Sequence, residues 1–153
     1  MLHSSISVVH LLAVALALGS GTRVLVQPKG TPVHRRLGWL YAGSMAVVLG
    51  TAFGIYSLFG RFGVVHWGAV ASSGFLLLGV GAALGRAVVP GWLRWHYLGM
   101  GASVTGLYAA LVVESTYRLF PAAWFWWSTL GPASLVFAAG AWLLRRHYPA
   151  WAT

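Results

Sequence analysis

The chain has 153 residues, of which 59% are hydrophobic and 7% charged, with ten Lys and Arg against one acidic residue. Soluble domains carry roughly a quarter charged residues, so a water-facing globular surface is excluded, and the chain is too apolar to be disordered. The absence of Cys excludes disulfides, thiolate metal sites, iron–sulfur clusters and haem attachment through Cys-x-x-Cys-His.

A membrane-spanning helix needs about 20 mostly apolar residues. The first stretch of that kind is Ile6–Gln27. It is too long for the apolar region of a signal peptide, and no Lys or Arg precedes it. A Pro- and Gly-containing break from Pro28 to Arg36 leads to the second stretch, Leu37–Phe59. The third, Val64–Arg86, follows the turn Gly60–Gly63. Leu93–Phe120 and Ala122–Leu144 complete the set, separated at Pro121. Gly131-Pro132 predicts a kink in the last of them. Short connections make neighbouring helices antiparallel.

Basic residues orient such a chain, because Lys and Arg are retained on the cytoplasmic side. Arg23, Lys29, Arg35, Arg36, Arg86, Arg94, Arg145 and Arg146 fall on one side, and Arg61 and Arg118 on the other. The predicted topology has the N-terminus outside and the C-terminus in the cytoplasm. The net charge of +9 is then a topology signal. Nucleic acid is not the expected partner, because the charges flank an apolar body. The bilayer is, with other membrane subunits or a quinone as further possibilities. Trp124, Trp126 and Trp127 at the outer end, and Trp39, Trp92, Trp95, Trp142 and Trp151 near inner ends, fit interfacial belts.

The sequence also repeats. Val8-Val9-His10-x-x-Ala13-Val14-Ala15 matches Val64-Val65-His66-x-x-Ala69-Val70-Ala71 at an offset of 56, and Tyr56-x-Leu58-Phe59 matches Tyr117-x-Leu119-Phe120 at 61. The pattern predicts a duplicated helical hairpin, with helices 1–2 repeated as 3–4. The expected fold is an all-α membrane protein of five transmembrane helices, a four-helix bundle plus one added helix, forming a single integral membrane domain over 1–153. Gly50-x-x-x-Gly54 and Gly81-x-x-x-Gly85 are candidate helix contacts.

Ionisable residues inside a membrane are costly and face the bundle interior. His10 and His66 occupy equivalent places in the repeat and predict one depth on the outer side, which suits two axial ligands of a b-type haem. His34 and His96 form a possible second pair at the inner side, with Arg35 or Arg118 as partners for haem propionates or a quinone. Together they would suit electron transfer across the bilayer. Alternatively, His10, His66 and Glu114 could hold a divalent metal as a two-His, one-carboxylate set. A structural account stands beside both: Glu114 and Arg118 are spaced to neutralise each other on one helix face. A His near a helix end can also bond water or a carbonyl, and His3 and His147 lie in solvated tails. A Ser-His-Asp set and a phosphate loop are lacking, and a single acidic residue excludes two-carboxylate acid–base chemistry. A non-catalytic accessory subunit of a larger membrane complex is therefore the other functional expectation, motivated by small size, short loops and glycine-rich faces.

The stretch Lys29-Gly30-Thr31-x-x-His34-Arg35-Arg36-Leu37-Gly38-x-x-Tyr41 resembles a bacterial domain-of-unknown-function family of predicted multi-pass membrane proteins with a His-Arg-x-x-Gly-x-x-Tyr element. His66, His96 and the Glu114-x-x-x-Arg118 pair look like later features of that family, over roughly residues 5 to 120. The resemblance implies a bacterial inner-membrane protein and carries no activity. The four-helix arrangement with paired His is also similar in outline to small di-haem cytochromes b, an analogy of architecture.

Overall fold

The structure is a computed structural model that describes residues 5–55 and 60–148. The described residues are helical, in the order α1 (Ser5–Val26), α2 (Pro32–Ala52), α3 (Val64–Leu84), α4 (Trp92–Thr116) and α5 (Phe125–Arg146). Two 3-10 turns, Tyr117–Leu119 and Ala122–Trp124, join α4 to α5. The chain divides into two compact units, residues 1–76 and 77–153, with the boundary inside α3.

Among the described residues, four helices are long and apolar enough to cross a membrane: α1, α3, α4 with its 3-10 extension to Leu119, and α5. The protein is thus a helical membrane protein. The second helix departs from expectation at both ends. It begins at Pro32 rather than Leu37, because the Thr31 hydroxyl accepts from the His34 amide and Pro32 fills the first turn, where a missing N–H costs nothing. His34, Arg35 and Arg36, placed at the break where the helix opens, lie inside its first turns and dilute its apolar stretch. It ends at Ala52 rather than Phe59, closing through short-range bonds from Phe53, Gly54 and Ile55. The Tyr56-x-Leu58-Phe59 half of the repeat, His3 and Trp151 lie outside the described residues.

In the first unit α1 and α2 pack as an antiparallel hairpin, with His10 near the start of α1 meeting Thr51 near the end of α2. The buried stripe of α1 is Ala13, Ala17, Ser20, Gly21 and Val24, small residues at helical spacing. Such a stripe admits a close neighbour. The buried side of α2 carries Tyr41, Ser44, Met45, Val48 and Leu49, and Tyr41 is fully enclosed.

In the second unit α4 and α5 form another antiparallel hairpin. Its close contacts fall at glycines other than those expected. A Cβ at Gly101 would run into the Leu144 side chain, and one at Gly140 into Thr105. Where α3 enters this unit, a Cβ at Gly79 would stand 2.7 Å from the Met100 backbone nitrogen. By contrast, Gly50 and Gly81 face open space, and Gly85 meets Val89 of its own turn. The expected glycine pairs do not make the tightest contacts, because GxxxG spacing marks one face of a helix without saying that a neighbour lies there.

Pro132 lies inside α5, as expected from the sequence. A proline supplies no N–H, so the carbonyl four residues earlier, Ser128, loses its helical donor. The Thr116 hydroxyl of α4 stands 2.6 Å from that oxygen, closer than the 2.8 Å to the Val112 carbonyl of its own helix that shares its one proton. At the other end of the hairpin, Tyr97 donates to the Leu144 carbonyl in the last turn of α5, at 3.0 Å. Helix ends leave such carbonyls without intrahelical donors.

Candidate functional site

His10 is half-buried, and its Nδ1 lies 2.7 Å from the Thr51 hydroxyl. That hydroxyl has one proton, and it lies 2.7 Å from the Val47 carbonyl and 3.0 Å from the Val48 carbonyl. Carbonyls only accept, so when Thr51 gives its proton back to its own helix, its oxygen is an acceptor for His10 Nδ1. In that arrangement a neutral ring carries its proton on Nδ1 and keeps a lone pair on Nε2.

His66 has the opposite arrangement. It is 2% exposed, and its Nδ1 lies 3.1 Å from the Gly63 backbone nitrogen. A backbone N–H only donates, so Nδ1 is the acceptor and the neutral ring is protonated on Nε2. His66 occupies the third position of α3, reaching back to the residue before the helix as a Glu or Gln does in a capping box. The His66 amide in turn bonds the Gly63 carbonyl at 3.0 Å, and Phe62 stacks on the ring at 4.8 Å between centroids. The two matched histidines therefore have different partners, a hydroxyl for His10 and a backbone N–H for His66.

His34 lies in the first turn of α2, its amide held by Thr31, and Arg35 and Arg36 are exposed. His96 in α4 lies 2.8 Å through Nδ1 from the Gly79 carbonyl. The carbonyl requires Nδ1–H on His96, and the bond falls at Gly79, where a Cβ would meet the Met100 backbone. Lys29, the single lysine of the chain, donates to the Val24 and Leu25 carbonyls at 2.7 Å each. It thereby closes the C-terminal end of α1, where a cation also complements the helix dipole. Burial draws its ammonium pKa below the ordinary lysine range.

Glu114 and Arg118 form the i, i+4 ion pair, the only ion pair among the described residues. Arg118 also donates to the Glu114 carbonyl at 3.2 Å and lies over the Tyr117 ring at 4.7 Å. Among the described residues of either unit, no three His, Cys, Asp or Glu side chains stand together as a metal site. An open apolar groove runs along α5, lined by Trp126, Trp127, Leu130, Gly131 and Ser134.

The residues that fix these arrangements without having been singled out in the sequence are Thr51, Thr116, Tyr97 and Gly79. One of them had a readable signal: Pro132 announces a carbonyl that needs an outside donor. No family model, no curated protein and no solved structure matches the chain.

Proposed function

We propose that the protein is a non-catalytic, multi-pass subunit of the bacterial inner membrane, with its N-terminus outside and its C-terminus in the cytoplasm. The observation that carries this is the use of its ionisable side chains. His10, His66, His96, Lys29, Glu114 and Arg118 each bond within their own unit, to a hydroxyl, a backbone group or each other. They hold helices together or close their ends. Large apolar side chains point outward along α1, α3 and α5, among them Leu12, Leu77 and Leu135. Lipid and neighbouring membrane helices are the surroundings that suit such faces.

The second helix enters this topology as a crossing element. It lies antiparallel to α1, and its 21 residues reach about 31 Å, enough for a hydrocarbon core. Arg35 and Arg36 can extend along its first turn into the headgroups. The test is purification from the native membrane in mild detergent. The expected result is a fixed stoichiometry with other membrane subunits, no Soret band, and assembly that survives His10→Ala and His66→Gln. A protein that purifies alone with haem overturns the proposal.

A second reading is a b-type haem bound by histidine for membrane electron transfer. The Nδ1–H that the Gly79 carbonyl requires of His96 favours it, because a metal-binding imidazole donates its other nitrogen to a polar neighbour. Of the two outer histidines, His10 fits this role and His66 does not, since Gly63 already uses the Nδ1 lone pair of His66.

A further inference from the structure

We propose that the end of the α4/α5 hairpin where α4 begins and α5 closes binds the phosphate of a net-anionic phospholipid, with Arg94, Arg145 and Arg146 as its cationic groups. This goes beyond the subunit reading and does not depend on it.

The two helix ends are fastened to each other. Tyr97, in the second turn of α4, donates to the Leu144 carbonyl, and its ring meets Tyr148 edge-on at 5.5 Å between centroids. Arg94 lies three residues before Tyr97, about 4.5 Å further out along the axis, and Arg145 and Arg146 follow Leu144 directly. One hairpin end thus carries three exposed guanidiniums, and Arg86 stands exposed in the turns that lead to α4.

Two of these cations are held in place. Arg94 lies over the Trp95 ring at 5.8 Å and Arg146 over Trp142 at 5.0 Å, and both rings are exposed. A guanidinium stacked by its face keeps its in-plane N–H donors, which match phosphate oxygens in pairs. Exposed indoles of a membrane helix belong at the interface, which sets these two cations at the depth of lipid phosphates. No acidic side chain answers them. The single one in the chain, Glu114, is 20 residues from Arg94 on the same helix, about 30 Å along its axis, and is already paired with Arg118. The missing acid is also what selects the lipid. A zwitterionic headgroup brings an ammonium beside its phosphate, and that ammonium meets only like charge here. An anionic headgroup such as phosphoglycerol brings the phosphate without the cation.

The test is native mass spectrometry of the detergent-solubilised full chain, mixed with equal amounts of phosphatidylglycerol and phosphatidylethanolamine, reading the first lipid bound. Phosphatidylglycerol should be preferred by about tenfold or more, and the preference should shrink as ammonium acetate is raised. Arg94→Gln, Arg145→Gln and Arg146→Gln should each weaken phosphatidylglycerol by about fivefold. The three together should bind the two lipids alike. Combined Arg94→Lys, Arg145→Lys and Arg146→Lys, which keep the charges, should retain the preference. Arg118→Gln at the far end of α4, and Arg35→Gln with Arg36→Gln in the first unit, should leave it unchanged. Equal binding of the two lipids by the native protein overturns the proposal. So does a preference that survives the triple Gln variant, or one that is lost in the Arg35 and Arg36 variant instead. Displacement of the bound lipid by millimolar inorganic phosphate would show a site for phosphate alone and overturn the assignment to a lipid.

Discussion

The Thr116 hydroxyl and Pro132 should be energetically coupled although they lie on different helices. Thr116 stands 2.6 Å from the Ser128 carbonyl, which Pro132 deprives of its helical donor. Thr116→Val keeps the shape and removes the hydroxyl, leaving a buried backbone oxygen without that donor. Hydrogen bonds between membrane helices are worth about 0.6 kcal/mol on average and up to about 1.7, and an orphaned buried acceptor costs about 1–3 kcal/mol. Ser128 is 6% exposed, so the upper half of the first range applies, and Thr116→Val should cost about 1–2 kcal/mol. Pro132→Ala gives residue 132 an N–H that can reach Ser128 within α5. In that background Thr116→Val should cost about 0.5 kcal/mol or less, a coupling of about 1 kcal/mol between the two positions. The measurement is a double-mutant cycle of reversible unfolding in mixed micelles, followed by helical circular dichroism, with Thr116→Ser as the control that keeps the hydroxyl. Equal costs of Thr116→Val in the two backgrounds would refute the assignment of Thr116 to the carbonyl freed by Pro132.

Glycine substitutions should sort by what a methyl group would meet. Gly79→Ala places carbon against the Met100 backbone and should cost about 1–3 kcal/mol, whereas Gly50→Ala meets open space and should be neutral or stabilising by up to about 1 kcal/mol. Thermal melts in detergent check the pair, and equal shifts would show that α3 and α4 do not meet at Gly79. Tyr97→Phe removes the donor to the Leu144 carbonyl and should destabilise by about 1 kcal/mol, read as faster amide exchange in the last turn of α5. Lys29, the only lysine, gives a single 13C-lysine resonance, whose titration should fall below the ordinary lysine range. The unfolded chain then binds more protons than the folded one between the two pKa values, so stability rises as pH climbs through that window. A titration at or above the ordinary range contradicts burial of the ammonium.

Much of this architecture was legible because membrane helices follow from apolar length alone. The start of α3 at Val64 was read to the residue, and α1 to within one at each end. The second helix was misread at its start because three charged or polar residues, His34, Arg35 and Arg36, look like a loop to an apolar-length criterion. The Thr31-Pro32 signature that starts the helix is a capping signal, which that criterion ignores. The Glu114–Arg118 pair was visible because it is local. Thr51 was not, since a bond over 41 residues needs the register of two helices, which hydropathy does not contain. The matched histidines show a further limit. Their equivalence in sequence is real, but whether an imidazole can bind metal depends on whether its neighbour donates or accepts, and backbone atoms decide that at Gly63.

Several fastenings of this protein join a side chain to a main-chain oxygen: Tyr97 to Leu144, Thr116 to Ser128, His96 to Gly79, and Lys29 to Val24 and Leu25. Every residue type owns a carbonyl, so the receiving position can mutate freely in its own side chain without releasing the bond. Selection on each link should therefore be felt at the donor alone. Correlated substitution between the two ends, the usual evolutionary trace of a contact, should be faint at the places where these helices are held.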